Sequence, residues 1–131
     1  MKLSDCHNVG DFRKLAKQKL PSPIFHYIDG GADDEVTIRR NTEAFEKCDL
    51  IPSVLTDVSN VNLSTTVLGQ KIKFPLFLSP TAMHQMYHPD GEVAAAKAAE
   101  KLGTFFSLST MATTSIEDVS KVSDGPKMFQ L

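Results

Sequence analysis

Cysteine is scarce in this sequence. Cys6 and Cys48 are the only two, far apart and without Cys-x-x-Cys spacing, which argues against a zinc site, a redox pair and a secreted disulfide framework. Both read as reduced thiols. An excess of one charge is lacking too: 14 Lys and Arg stand against 16 Asp and Glu, a net charge of −2. Such a balance provides no strong field to draw in nucleic acid or an anionic membrane, so no nucleic-acid partner is expected. Long apolar runs are also missing. The start, MKLSDCHNVGDF, has no apolar core of signal-peptide length, and no later run approaches the roughly 20 apolar residues of a spanning helix. The default compartment is the cytoplasm, with peripheral attachment to a membrane left open. No internal repeat or low-complexity tract is evident.

What is present is the composition of a soluble globular protein, 131 residues with 41% hydrophobic and 23% charged. The first segment reads as helices punctuated by proline and glycine. Asn8 is placed to cap a helix carrying Phe12, Leu15 and Ala16, which Pro21 stops. Ser22 as N-cap and Pro23 at the first helical position restart a short helix through Ile24, Phe25, Tyr27 and Ile28, and Gly30–Gly31 would end it in a left-handed cap. A third helix is expected next. Its first turn would be acidic (Asp33, Asp34, Glu35) and its middle basic (Arg39, Arg40), an order that complements the helix dipole, before Ala44 and Phe45 close the apolar face.

Between Leu50 and Ile72 the pattern turns β-like, with Leu63–Leu68 and Lys71–Phe74 separated by a tight turn at Gly69–Gln70. The most informative stretch follows, FPLFLSPTAMHQMYHPDGE from Phe74 to Glu92. It changes from a short apolar run of strand length to a break at Ser79, Pro80 and Thr81, and then to an Ala-rich helix with Asp90 and Glu92 in its first turn. From there a βα rhythm runs on: strand 74–78, helix 91–102, strand Thr104–Ser109, helix Ile116–Val122 and strand Lys127–Leu131. Three parallel strands with two short crossovers leave unpaired edges and uncovered apolar faces. A (β/α)8 TIM barrel takes typically about 250 residues. The expectation is therefore α/β, the amino-terminal part of such a barrel: residues 1–73 as a helical and hairpin lead-in, 74–131 as the first three barrel strands, and the whole a fragment or truncated product.

In α/β architectures ligands gather where strands end at their carboxyl side. Adjacent parallel strands would bring Pro80–Thr81–Ala82, Ser109–Thr110 and Gln130 to one rim. These groups are polar but uncharged, and they suit a flat heterocycle whose edge alternates carbonyl oxygens and ring nitrogens; a flavin ring fits that description. The plainer reading is that Ser and Thr after a strand cap the next helix. By the same comparison, Asp33, Asp34 and Glu35 read as capping rather than acid–base carboxylates, and Tyr27 by itself reads as a core tyrosine. His84 and His88 have the spacing of a helical metal pair, but Pro89 pushes His88 out of helical geometry, so no metal site is expected. Arg39 and Arg40 read as a solvated face, and Met83 and Met111 as packing that approaches the same rim.

The ordered motifs AKQKLP (Ala16 to Pro21), YIDGGADDE (Tyr27 to Glu35), IPSVLTDVSNVNLSTTVLG (Ile51 to Gly69), SPTAM (Ser79 to Met83), HPDGE (His88 to Glu92), SLSTMATTS (Ser107 to Ser115) and the final FQL run the length of the chain. Together they resemble the FMN-dependent α-hydroxy acid dehydrogenase and oxidase family. The resemblance implies FMN as cofactor, with Pro80, Thr81 and Ala82 along the flavin and Ser109 and Gln130 on its pyrimidine edge. It assigns the Tyr27 hydroxyl to the substrate carboxylate, reversing the core reading of that residue. It implies oxidation of a small L-2-hydroxy acid, of lactate or glycolate type, to the 2-oxo acid by a protein that is a homo-oligomer at full length. The family's base histidine, its paired arginine and the lysine beside the flavin come late in the barrel and are absent from these 131 residues, so this chain by itself is expected to be inactive. Two other readings stand beside this one. The first is a non-catalytic truncated product that associates through its open strand edge, and the second is another flavin- or phosphate-binding barrel with a similar first third.

Overall fold

A computed structural model describes residues 1–131, which fall into two compact units, Met1–Thr56 and Asp57–Leu131. The first unit is helical. After a single 3-10 turn at Leu3–Asp5 come α1 (Val9–Lys19), α2 (Ser22–Asp29) and α3 (Val36–Glu46). Asn8 caps α1 as expected, its side chain accepting the Asp11 backbone N–H at 2.9 Å, and the helix ends at Leu20, before Pro21. Arg13 on α1 forms a two-pronged bond to Asp29 at the end of α2 (2.5 and 2.9 Å), and this guanidinium contact holds the Asp29 carboxyl below its usual range.

Several expected ends are built differently. Pro21 rather than Ser22 occupies the N-cap of α2, which makes no side-chain cap bond. Gly30 at its end is extended (φ −83°) instead of left-handed, because the chain straightens here to enter another turn. That turn holds the acidic residues, which precede α3 instead of forming its first turn. Asp33 and Glu35 take positive φ, and Glu35 reaches back so that its carboxylate accepts the Gly31 N–H at 3.1 Å. The Glu35 carboxylate thus closes a loop, a local bond that competes with helix entry. Arg39 and Arg40 are exposed, and Arg39 donates to the Asp34 carbonyl at 2.6 Å.

The second unit holds a two-stranded antiparallel hairpin and a three-stranded parallel sheet. In the hairpin, β1 (Thr65–Val67) pairs with β2 (Gln70–Ile72), Val67 opposite Gln70, so the turn residues are Leu68–Gly69 and not Gly69–Gln70. Both take positive φ (49° and 77°), the conformation that two-residue hairpin loops require. The sheet is ordered β3 (Leu78–Thr81), β4 (Phe106–Leu108), β5 (Lys127–Phe129), all parallel, with α4 (Gly91–Leu102) and α5 (Ile116–Val122) as the crossovers. Both crossover helices span the residues that the sequence pattern marks out.

The strand expected at 74–78 lies instead at 78–81. Pro75 has no N–H to give a ladder and Leu76 N–H turns back to the Phe74 carbonyl, so this apolar run remains irregular. Pro80, which reads as a strand breaker, is accommodated where the register of β3 slips between Leu78 and Thr81, three residues passing two on β4.

The core sits between sheet and helices. Phe106 and Leu108 of β4 point to one side and pack with Ala96 and Ala99 of α4 and Val119 of α5. The alanines let the helix axis come close to the sheet. Gly103 ends α4 at φ +70°, in the left-handed cap position. We expect Gly103→Ala to destabilise the fold by about 1 kcal/mol, since any Cβ there is strained. The check is the denaturant midpoint, and an unchanged value would show that the cap relaxes freely. No helix is long and apolar enough to cross a membrane.

Candidate functional site

Because side chains alternate along a strand, Ser107 and Ser109 point away from the helices that Phe106 and Leu108 face. Both serines are buried. On that open face Ser79 and Pro80 of β3, Ser107 of β4, Met128 and Phe129 of β5 and Gln130 just after it line a groove of about 230 Å³ with Phe77. The Ser107 hydroxyl has no hydrogen-bond partner in spite of its burial.

At the carboxyl ends of the strands, the rim residues expected from sequence come together in part. Ser109 Oγ donates to Gln130 Oε1 at 3.2 Å and accepts the Met111 backbone N–H at 3.1 Å. Thr110 Oγ1 donates to the Gln130 carbonyl at 2.9 Å, and Gln130 N–H donates to Leu108 O at 2.9 Å. The carboxamide oxygen of Gln130 is thereby occupied, and its amide protons are left for an external acceptor. Thr81 ends β3 and is half-buried, as is Ala82. Neither hydrogen-bonds to Ser109 or Gln130; the link between the strand ends runs through backbone, Met83 N–H donating to Met111 O at 3.0 Å.

The rim is neutral. No lysine or arginine occurs among Pro80–Ala82, Ser109–Met111 or Gln130. Such a set of hydroxyls, a carboxamide and backbone groups fits the edge of a flavin ring, while offering no cation to a phosphate.

Tyr27 belongs to the helical unit. Phe25 is the buried residue of α2, and two positions on, about 200° around the helix, Tyr27 is 55% exposed. Tyr27 therefore takes no part in the core of the helical unit, unlike the core reading of it. The histidines have separate tasks: the His84 ring stands edge-on to Phe106 at 6.4 Å, and His88 Nδ1 accepts the Asp90 N–H at 3.2 Å.

One residue was missed. Glu92 reads from the sequence as a first-turn carboxylate that favours the helix dipole, yet it is fully buried. Oε1 accepts the backbone N–H groups of His84 (3.2 Å) and Thr113 (2.8 Å), and Oε2 accepts the hydroxyls of Thr113 (2.7 Å) and Thr114 (2.9 Å). Burial pushes its pKa up, but the hydrogen bonds from Thr113 and Thr114 outweigh that and bring it down to about 2. The local signal is the HPDGE motif; the partners, 21 and 22 residues on, lie in the SLSTMATTS motif, and neither motif tells that the two meet.

Comparison with known proteins identifies the group to which this geometry belongs. A family model of FMN-dependent dehydrogenases matches residues 16–131. Among curated relatives, glycolate oxidase 5 of Oryza sativa subsp. japonica is 45% identical over 129 residues, 98% of this chain and 35% of the relative. Glycolate oxidase of Spinacia oleracea is 44% identical over 124 residues, 95% of this chain and 34% of the relative. Among solved structures, a soluble mutant of the membrane-associated (S)-mandelate dehydrogenase from Pseudomonas putida superposes with a TM-score of 0.88 at 41% identity, over 95% of this chain and 36% of that one. The chain thus spans about a third of the length of the relatives it matches, and the part it matches carries the β3–β4–β5 rim described above. The chain belongs to the FMN-dependent dehydrogenase family, whose cofactor is FMN.

Proposed function

We propose that the protein containing these residues is an FMN-dependent enzyme that oxidises a small L-2-hydroxy acid, of glycolate or lactate type, to the 2-oxo acid. The three parallel strands would open a (β/α)8 barrel. The observation that carries the reading is the Ser109–Gln130 pair, a neutral donor and acceptor set at the carboxyl ends of parallel strands in a chain of this family. FMN, when bound, supplies an acceptor for the two electrons that leave the hydroxy acid.

The chain's own residues bind and orient. Gln130 would offer its amide protons to a carbonyl oxygen of the ring edge, with Ser109, fixed by Met111 N–H, holding the carboxamide in that posture. Pro80, Thr81 and Ala82 would hold the flat of the ring, a proline and a small alanine leaving room for it to approach the backbone. Tyr27 on α2 is the residue that the family resemblance assigns to the substrate carboxylate, through its hydroxyl. Proton removal falls to a base outside these residues.

In the full-length protein, Tyr27→Phe should raise KM for the hydroxy acid about tenfold, the scale of a lost hydrogen bond to a charged group, and leave flavin content unchanged. Steady-state kinetics with flavin absorbance would check this; an unaltered KM would remove Tyr27 from the substrate site.

A further inference from the structure

We propose that Glu92 is a positioning residue for the flavin, acting through the two loops that carry its candidate ligands. This rests on the proposed function and extends it to a residue that touches neither cofactor nor substrate. Three links join residues 83–85, after β3, to residues 111–113, after β4. Met83 N–H bonds Met111 O, the Glu92 carboxylate bridges His84 N–H to Thr113, and Gln85 N–H donates to Thr113 Oγ1 at 3.3 Å. Glu92 is the only one of these groups that carries charge, and it takes four donors at once.

The next residues outward on each loop are those assigned to the flavin. Ala82 immediately precedes Met83, and Ser109 Oγ accepts the N–H of Met111, whose carbonyl holds Met83. A shift of the Glu92 brace therefore moves the backbone at Ala82 and the Ser109 hydroxyl relative to each other. Gly91 is part of the same device. A Cβ there would lie 2.7 Å from Gln85 Cγ and 3.3 Å from Gln85 N, so its absence lets the 84–85 backbone descend onto the carboxylate next door.

The test titrates FMN into the full-length apoprotein, following flavin fluorescence and the visible spectrum, for wild type, Glu92→Gln, Thr113→Val and Val119→Ala. Glutamine keeps the shape but removes the charge that four donors share. Thr113→Val keeps the carboxylate and removes one hydroxyl from it, and so reports if the first variant does not fold. Val119→Ala destabilises the helix side of the sheet, away from the rim. We expect Glu92→Gln to weaken FMN binding about tenfold and to shift the flavin bands, Thr113→Val to do so to a smaller extent, and Val119→Ala to lower the melting temperature with FMN affinity intact. If the Glu92 and Thr113 variants lower the melting temperature but bind FMN like wild type, with unchanged bands, the brace is merely structural and the proposal falls. If wild type itself takes up no FMN, the proposed function is what fails, and the inference goes with it.

Discussion

Phe106→Ala should destabilise the protein by about 3–5 kcal/mol, the scale for emptying a buried phenylalanine site. Phe106 is 2% exposed on the central strand, and its neighbours on the helix side include Ala96 and Ala99. Those alanines already bring α4 as near to the sheet as small side chains permit, so little can collapse into the space a missing ring would leave. The ring also supports the edge of His84, whose N–H is held by Glu92, so loss of Phe106 should loosen the loop after β3 as well. Equilibrium unfolding in denaturant gives the number. A loss below about 1 kcal/mol would mean that the sheet and helix face is not the main core of this unit.

The second large effect is a dependence on acid. Glu92 has a folded-state pKa of about 2 against an ordinary value of 4.5. The folded state therefore binds its proton less readily than the unfolded state, and between those values the unfolded chain takes up more protons. Above about pH 4.5 the carboxylate contributes its full stabilisation, on the order of 3 kcal/mol, and that contribution disappears as pH falls toward 2. In Glu92→Gln this acid limb should be lost, so the wild-type and variant curves of stability against pH converge between about pH 4.5 and 2. Curves that stay parallel through that window would show that the buried carboxylate does not retain its charge. Another depressed carboxyl, Asp118, lies on the exposed surface beside Lys121, where solvent screening leaves it little weight.

How much of this was legible depended on whether the deciding contact was local. The bounds of α5, the start of α4 after Asp90, the Asn8 cap and the stop at Pro21 follow from residues within one turn of the event. The strand after the hairpin was misplaced because an apolar run from Phe74 to Leu78 shows length but not which residues have free ladder groups. Pro75 forfeits one, and Pro80 sits at a register slip that no window of sequence reveals. The hairpin turn was misplaced by a single residue, because Leu68, an unusual residue for positive φ, takes a position that glycine or asparagine would have marked. Tyr27 looked like a core residue because exposure depends on the rotation of α2 about Phe25. Glu92 is legible only in part: its place in the first turn of α4 has a sufficient local explanation, and its hydrogen-bond partners lie on the loops after β3 and β4.

The rim residues were named from the order of strands, and their adjacency follows once β3, β4 and β5 are parallel neighbours. Sequence could not show how they interact. Ser109 engages Gln130 directly, whereas no residue of the 80–82 segment hydrogen-bonds to either.

The measurement that bears most directly on the central claim is an anaerobic titration of the purified full-length protein with glycolate, L-lactate and L-mandelate, followed in the visible flavin band. The account predicts a yellow protein that releases FMN on denaturation and whose band bleaches with at least one of these acids, with the matching 2-oxo acid formed in equal amount. A protein that holds FMN but is reduced by none of them, or one that carries no flavin, would contradict it.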